Sequence, residues 1–371
     1  MKILYISNSV IPSRKANSIH VMKMCQAFAD NGHKVILLAP NKKDQYEKKV
    51  GNIYEYYGVK KNFTIKKLWY PNFKGRAILY SLAIFLYLII NKKFDLVYGR
   101  FLYGCYISAI LGNEVILEAH DPIYERRNFE LRIFEKLVSN KHFKKLVVIS
   151  NILKNIYLKK GYLDENKIQV AHDGADRVEN FKNKINLLGN KENLKVGYIG
   201  SFFKGKGIEI IASIANKMNN NIDFHIIGGA EKDIKYWKNI IINKNVFFYG
   251  FVSHRKVSNY INSMDVCLLP NQKKLILSGV GDISSFTSPL KLFEYMSHKK
   301  TIIASDIKVL REVLNQKNSI LVEPGNIDEW INALEISKNF SIREKISNQA
   351  LIDFEPYTWK NRASKILNKI R

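Results

Sequence analysis

The apolar residues of this chain fall in short runs that alternate with helical segments. Residues 2–7 read as a buried strand, residues 18–31 as a helix that ends at Gly32, and residues 34–39 as the next strand. Strands at 96–98, 115–118 and 146–149 continue the series. Buried strands separated by helices are typical of a parallel sheet with helices on both faces. The first part of the chain is therefore predicted to be a doubly wound α/β domain.

A polar interval at 181–193, rich in Asn and Lys, separates this series from a second one. The second series has strands at 195–199, 223–227, 246–249, 266–269, 301–304 and 319–322. A length of 371 residues also favours two domains. We predict two Rossmann-like doubly wound parallel-sheet domains that face a central cleft, at residues 1–176 and 190–356. The tail, 357–371, is predicted to be a helix that crosses back to the first domain.

The positive charge is concentrated near the N-terminus. Residues 1–100 hold 18 Lys and Arg against 5 Asp and Glu. The excess, 18 − 5 = +13, is half of the net charge of +26. Such a field favours an anionic partner: lipid headgroups, nucleic acid or a phosphorylated substrate. Nucleic acid is disfavoured because no recognition motif is present and the basic residues are spread over two α/β domains. The segment 66–76 mixes cations with Trp69, Tyr70 and Phe73, which suits an anionic membrane surface.

The longest apolar run, residues 77–90, is too short to span a bilayer. Its flanking cations include Lys74 and Lys92. The favoured interpretation is a buried core helix, and the alternative is a helix that dips into a bilayer interface.

Three cysteines, Cys25, Cys105 and Cys267, lie far apart inside apolar segments. This pattern predicts buried thiols in a reducing compartment rather than a disulfide framework. No export signal is visible at the N-terminus. A cytoplasmic location is expected, at the inner face of the plasma membrane.

The stretch FTSPLKLFEYMSHKKTIIASD, residues 286–306, predicts an anion site. Ser288 is a good N-cap and Pro289 suits the first helical position, so the amides of Leu290 and Lys291 would point out of the helix start toward a phosphate. Glu294 lies about one turn further on and suits ribose hydroxyls. The alternative is an ordinary capped helix whose Lys and Glu form a solvated pair. A nicotinamide enzyme is disfavoured, because G-x-G-x-x-G follows neither 2–7 nor 195–199.

This stretch resembles the donor-site motif of family 4 glycosyltransferases, which are retaining enzymes of the GT-B fold. VGYIGSFFKGKGIEII, residues 196–211, is similar to the family's phosphate loop. Other segments fall in the family's order: NGHKVILLAP, FDLVYGRF, VILEAHDP, VAHDGAD, FHIIGG, VFFYGFVS and YTWKNRA. Each segment is weak alone, and the ordered set is specific.

The resemblance implies roles for individual residues. Lys206 matches the family's lysine that binds the donor diphosphate. Glu294 matches the glutamate that binds the ribose, and His120 matches the histidine near the transferred sugar. The implied donor-binding positions are Gly200, Ser201, Gly229, Phe251, Val252, Ser288, Leu290 and Lys291.

The chain departs from the family pattern in three places. Phe286 stands where the family has the first glutamate of Glu-x7-Glu, and Asp282 is a candidate substitute. Ser201 stands where an arginine is common, with Lys204 or Lys206 as alternative sources of charge. The glycine-rich loop after the first strand is replaced by residues 12–20, in which Arg14, Asn17 and His20 are the acceptor-side candidates.

The resemblance implies transfer of a sugar, with retention, from a UDP-sugar in preference to a GDP-sugar. The expected acceptor is a lipid-linked or cell-surface glycan. No Asp-x-Asp pair is present to chelate a divalent ion, so neither a metal nor another cofactor is expected. The alternatives are a GT-B-like nucleotide-sugar epimerase and a sugar-binding pseudo-enzyme.

Overall fold

Two parallel β-sheets organise the chain. The computed structural model describes residues 1–73, 75–91, 93–123, 128–218, 221–274, 276–277, 281–282 and 284–368. Lys74 and Lys92 lie outside these residues. The first unit is Met1–His172 together with Trp359–Arg371, and the second is Asp173–Thr358.

The first unit is built on a seven-stranded sheet in the order β3-β2-β1-β4-β5-β6-β7, with every pair parallel. Its interior strands are almost wholly buried, because helices cover both faces. The strands are β1 (Lys2–Ile6), β2 (Lys34–Pro40), β3 (Thr64–Leu68), β4 (Leu96–Gly99), β5 (Val115–Ala119), β6 (Phe143–Val148) and β7 (Ile168–Val170).

Helices connect these strands and pack on the sheet. They are α1 (Ala16–Asp30), α2 (Ile53–Tyr57), α3 (Arg76–Ile90), α4 (Leu102–Ile110), α5 (Asn128–Val138) and α6 (Asn151–Lys159). The C-terminal helix, Trp359–Leu367, packs against α1 and buries Arg362. The Asn31 amide at the end of α1 donates to the Lys360 carbonyl at 3.0 Å. The last helix of the chain is therefore part of the first unit.

Helix α3 is not the buried core helix that the apolar run favoured. One face buries Tyr80, Ser81, Ile84 and Leu88. The opposite face leaves a series of large apolar side chains exposed: Ile78 (69%), Leu82 (50%), Leu86 (50%), Ile89 (43%) and Ile90 (77%). The helix is apolar all round, but the sheet and α4 cover only one side of it.

The second unit carries a six-stranded parallel sheet in the order β10-β9-β8-β11-β14-β15 and a two-stranded sheet, β12-β13. Its strands are β8 (Leu194–Gly200), β9 (Ile222–Gly228), β10 (Val246–Gly250), β11 (Val266–Leu269), β12 (Ile276–Leu277), β13 (Gly281–Asp282), β14 (Thr301–Ser305) and β15 (Ile320–Val322). Its helices are α7 (Ile208–Lys217), α8 (Glu231–Ile240), α9 (His254–Asn262), α10 (Leu290–Ser297), α11 (Ile327–Ile336) and α12 (Phe340–Phe354). The C-terminal helix of the first unit, Trp359–Leu367, is α13.

The structure confirms the fold class and each strand predicted above, with small differences at the strand ends. Four of the described strands were missed, and β12 and β13 are among them because each has only two residues. Strand β3, TIKKL, is an edge strand with exposed lysine, so it lacks an apolar run, and β7 has only three residues. All three cysteines are free and buried, as predicted. Within the described residues, every helix is too short or too polar to cross a membrane.

Candidate functional site

The strand order of the second sheet creates a crevice at the end of β8. The chain runs outward from β8 through β9 to β10 on one side, and through β11 to β14 and β15 on the other. Ligands of open α/β sheets bind beyond the carboxyl ends of the strands at such a switch point. Strand β8 ends at Gly200 and β11 at Leu269, so the loops that follow these residues frame the candidate site.

These two loops are fixed to each other by close backbone contacts. The amide of Gln272 donates to the Gly205 carbonyl at 3.0 Å. Gly207 precedes α7 with φ of 89°, and a Cβ there would lie 1.9 Å from the Pro270 carbonyl oxygen. Only glycine combines this positive φ with so close an approach. The Gly-Lys-Gly segment 205–207 therefore holds Lys206 at a defined point of the crevice.

Two lysine amines lie in this crevice. The Lys291 amine is buried and has no hydrogen-bond partner within the described part of the chain. It lies 3.9 Å from the centroid of the Tyr198 ring, and a Cβ on Gly200 would be 3.0 Å from it. Burial and the charge of Lys206 hold the pKa of Lys291 well below its ordinary 10.5, although Glu294 acts in the opposite direction. Burial also lowers the pKa of Lys206.

The tyrosine beneath the Lys291 amine is itself fixed. The Tyr198 hydroxyl donates to the Ser201 carbonyl at 2.8 Å. The amide of Ile199 donates to the Tyr295 hydroxyl at 3.1 Å, which ties the same strand end to α10. Strand β8, loop 201–207 and helix α10 therefore form one hydrogen-bonded corner.

Glu294 pairs with a histidine that the sequence did not single out. His254, the first residue of α9, places Nε2 2.9 Å from Glu294 Oε1. His254 and Glu294 are mostly buried, with 19% and 16% of their side chains exposed. The Glu294 carbonyl also accepts a hydrogen bond from the Ser297 hydroxyl. The sequence could have indicated His254, because it directly follows the FFYGFVS run. In this fold, ligands bind at the loops that follow the strands.

The start of α10 differs from the prediction. The helix begins at Leu290 with Pro289 at the N-cap, and Ser288 does not cap it. Instead, the Ser288 hydroxyl accepts the amide of Asp173 at 3.1 Å within the same unit. The amides of Leu290 and Lys291 still stand at the helix start, where a helix provides no acceptor for them.

The other predicted donor residues border the same strand ends. Gly229 follows β9 with φ of 76°, and a Cβ there would lie 2.3 Å from the Phe202 ring. Phe251 and Val252 follow β10. Phe251 is exposed, and Val252 is half-buried. Phe286, in the place of the missing glutamate, is buried, whereas Asp282 on β13 is exposed.

In the first unit, a cluster surrounds Glu118 at the end of β5. The Glu118 carboxylate accepts hydrogen bonds from His120 Nε2 at 2.6 Å, from Arg362 at 2.9 Å and from the Tyr98 hydroxyl. Burial alone would raise the pKa of Glu118, but the charges of Arg362 and His20 and the hydrogen bonds from the histidines outweigh it and hold that pKa well below its usual 4.5. His120, the predicted sugar-side residue, is therefore anchored by a charged carboxylate.

The Arg362 guanidinium has further partners in the first unit. It donates to the carbonyls of His172 at 2.7 Å and Ala171 at 3.0 Å. The cluster joins β5, the end of β7 and α13, and its central ion pair is 2% exposed on the arginine side and 0% on the glutamate side.

The predicted acceptor-side residues differ in burial. His20 is buried, with Nε2 3.1 Å from Glu118 and Nδ1 3.2 Å from an Arg100 nitrogen. Arg14 and Asn17 are exposed instead, and Arg14 pairs with Glu47. His20 therefore belongs to the Glu118 cluster.

The comparisons with known proteins agree with this fold. Residues 18–179 match the family model described as Glycosyltransferase Family 4, and residues 193–336 match the one described as Glycosyl transferases group 1. Between them, the two matches span most of the chain. The chain belongs to the family 4 type of glycosyltransferase.

Solved structures match the GT-B fold over the whole chain. A crystal structure of Anabaena HepE in complex with UDP superposes with a TM-score of 0.73 at 15% identity, covering 100% of this chain and 99% of that one. A mutant of TarM from S. aureus, in complex with fondaparinux, alpha-GlcNAc-glycerol and UDP, gives 0.72 at 12% identity over 100% of both chains. At these identities the likeness establishes the fold.

One curated relative, an uncharacterized 41.2 kDa protein in the cps region of Klebsiella pneumoniae, is 28% identical over 116 residues. The match covers 30% of this chain and 32% of that protein, about a third of its length.

Proposed function

We propose that this protein transfers a sugar, with retention, from a nucleoside diphosphate sugar to a lipid-linked or cell-surface glycan. The observation that carries the proposal is the grouping of Lys206, the α10 start and Glu294 at the switch point of the second sheet. The amine and the helix start suit a diphosphate, and Glu294 suits ribose hydroxyls. UDP is the proposed nucleotide because the HepE and TarM structures contain it.

Charge stabilisation at the diphosphate is the main catalytic task in this proposal. Cleavage of the anomeric bond leaves negative charge on the departing diphosphate, and a fixed donor aimed at developing charge contributes about 3–4 kcal/mol. Lys206 and the amides of Leu290 and Lys291 are the proposed donors. With cations supplied by the protein, transfer is proposed to need no metal.

The Glu118 cluster supports metal independence in the first unit as well. His20, Glu118 and His120 carry ligand atoms that lie close together. The guanidinium of Arg362 bonds to the Glu118 carboxylate, and that of Arg100 bonds to His20. Their fixed positive charge opposes a divalent cation at this place.

The donor is tested by thermal unfolding with a panel of UDP-, GDP- and dTDP-sugars, because a ligand that binds only the folded state raises the midpoint. We expect UDP-sugars to raise it most. Lys206→Ala and Glu294→Ala should abolish both the rise and sugar transfer, with Lys308→Ala, an exposed lysine of the same unit, as control. A panel without any shift would contradict the proposal. Product analysis without acceptor separates transfer from epimerisation, and NMR of the new linkage tests retention.

His120 is proposed to position the sugar or the acceptor. His120→Ala should lower kcat by about 100-fold, the cost of a small misplacement of reacting groups. The Kd for UDP should stay unchanged, since the nucleotide residues all lie in the second unit. An unchanged kcat would remove His120 from the proposed mechanism.

Membrane association is the second part of the proposal, and α3 supports it. Its exposed apolar face, formed by Ile78, Leu82, Leu86, Ile89 and Ile90, lies near the cationic edge strand β3. Trp69 and Phe73, in the connection between β3 and α3, are more than half exposed. An apolar face bordered by lysines and interfacial aromatics suits an anionic lipid surface, which gains both burial and charge attraction.

Liposome flotation tests this part. We expect binding to vesicles of phosphatidylglycerol and phosphatidylcholine, and weaker binding to phosphatidylcholine alone. The double variant Leu82→Ser/Leu86→Ser should abolish flotation, whereas Ile242→Ser/Ile352→Ser, which removes two exposed apolar residues of the second unit, should not. Equal flotation of the two variants would contradict a role for α3.

A further inference from the structure

The Lys291 side chain is in an environment that a cation rarely occupies without a counter-ion. Its amine is buried without a hydrogen-bond partner in the described residues, and it lies over the Tyr198 ring, 3.9 Å from the centroid. A ring face attracts a cation, but it accepts no ordinary hydrogen bond from it. A buried ammonium without a charged partner is costly to the folded state.

The groups around this amine do not neutralise it. Lys206 faces it from the loop after β8 and adds repulsion. Glu294, three residues further along α10, is the acidic group that acts on it, and this carboxylate already pairs with His254. Tyr198 keeps its proton, since burial raises the pKa of its hydroxyl. Glu209, at the start of α7, is a second carboxylate near this corner and also raises the pKa of the Tyr198 hydroxyl. Lys206 and Glu294 are the charged groups that act on the Lys291 amine itself.

We propose that the Lys291 amine rests on Tyr198 in the nucleotide-free protein and turns onto the donor diphosphate, where it is the second cation beside Lys206. This inference rests on the proposed function. The long stem of lysine allows the turn, and the destination is the start of its own helix, where the Leu290 and Lys291 amides also face the ligand.

A Lys291 amine on the diphosphate would supply the positive charge that the chain lacks at Ser201. The resemblance places an arginine where this chain has Ser201, and the carbonyl of Ser201 accepts the hydroxyl that fixes Tyr198. The cation missing from the loop is then supplied by α10. Two amines match the two to three negative charges of a diphosphate better than they match a monophosphate or a neutral nucleoside.

Calorimetric titration tests the role of the side chain. Wild type should bind UDP, UMP and uridine with affinity falling in that order. Lys291→Met should weaken UDP binding by about 100-fold and leave uridine binding unchanged, because only the diphosphate loses a charge-assisted partner. Lys308→Met, which removes an exposed lysine of the same unit, should behave as wild type.

Proton uptake provides a readout that a purely structural lysine would not change. Burial and Lys206 lower the pKa of the Lys291 amine in the nucleotide-free protein, and a diphosphate beside the amine would raise that pKa. At alkaline pH below the ordinary lysine pKa of 10.5, wild type should therefore take up protons as UDP binds, which calorimetry measures in buffers of different ionisation enthalpy. Lys291→Met should take up fewer protons.

The outcomes are distinguishable. If wild type binds UDP and Lys291→Met binds it within about threefold of wild type with the same proton uptake, the inference is wrong and the proposed function stands. If wild type binds neither UDP nor GDP, the proposed function fails, and this inference fails with it.

Discussion

Both units bury positive charge near the carboxyl ends of their strands, but they treat it differently. In the first unit, the Arg362 guanidinium is held by the Glu118 carboxylate and the carbonyls of Ala171 and His172. In the second unit, the Lys291 amine has no hydrogen-bond partner among the described residues, and the amine of Lys206 adds repulsion. The first cluster is complete within its unit, whereas in the second the described residues provide no hydrogen-bond acceptor for the Lys291 amine.

The difference separates structural charge from functional charge. A buried charge that the protein itself compensates contributes to folding, and its removal leaves a buried partner unpaired. A buried charge that the protein does not compensate costs stability until a ligand supplies the opposite charge. Strongly perturbed groups of the second kind are typical of binding and catalytic sites.

The largest expected effect is in the first cluster. Arg362→Met should lower the free energy of unfolding of the first unit by about 3–5 kcal/mol, because Glu118 stays buried without its main counter-charge. Chemical denaturation measures the change. The exposed pair Arg177–Glu355 is the control, and Arg177→Met should cost at most about 1 kcal/mol. A loss as small as the control's would show that the first cluster is not structural.

A smaller effect is expected at Glu294. Wild type should bind UDP about 10- to 100-fold more tightly than 2′,3′-dideoxy-UDP, because the dideoxy compound cannot donate hydrogen bonds from its ribose to the charged Glu294 carboxylate. Glu294→Gln should lose most of this discrimination. Glu335→Gln, an exposed carboxylate of the same unit that pairs with Lys338, should keep it. If Glu294→Gln discriminates like wild type, the carboxylate does not bind ribose.

The smallest effect is a pH dependence of the ligand-free protein. The pKa of Lys291 is lowered in the folded state, so the unfolded chain binds more protons between that lowered pKa and the ordinary 10.5. Stability should therefore rise with pH in this window, by up to about 1.4 kcal/mol per pH unit from this group. Other lysines and tyrosines titrate nearby, so the quantity to measure is the difference between wild type and Lys291→Met. Parallel pH curves would refute the assignment.

The sequence predicted the sheets well, because interior parallel strands are continuous apolar runs. It missed β3, whose Lys66 and Lys67 hide an edge strand, and it favoured burial for α3, whose exposed face is as apolar as its buried one. Apolar composition indicates a helix, but it does not reveal which faces the neighbouring elements cover.

The sequence indicates the local segments of the candidate site, but not the partners that lie far away in the chain. Motif spacing places Lys206, Lys291 and Glu294, which lie on two short segments. The sequence favoured Ser288 as an N-cap, whereas its hydroxyl accepts the amide of Asp173, 115 residues earlier. The Arg362–Glu118 pair joins residues 244 positions apart. Such partners depend on the tertiary fold, which no local pattern encodes.

Thermal unfolding of Lys291→Met and Arg362→Met, each with and without UDP, tests the contrast between the two clusters most directly. We predict that Lys291→Met has a ligand-free midpoint equal to or above that of wild type and loses the rise that UDP causes. Arg362→Met should have a lower midpoint and keep that rise. A Lys291→Met protein that is as destabilised as Arg362→Met, and that still gains the full UDP-dependent rise, would contradict this interpretation.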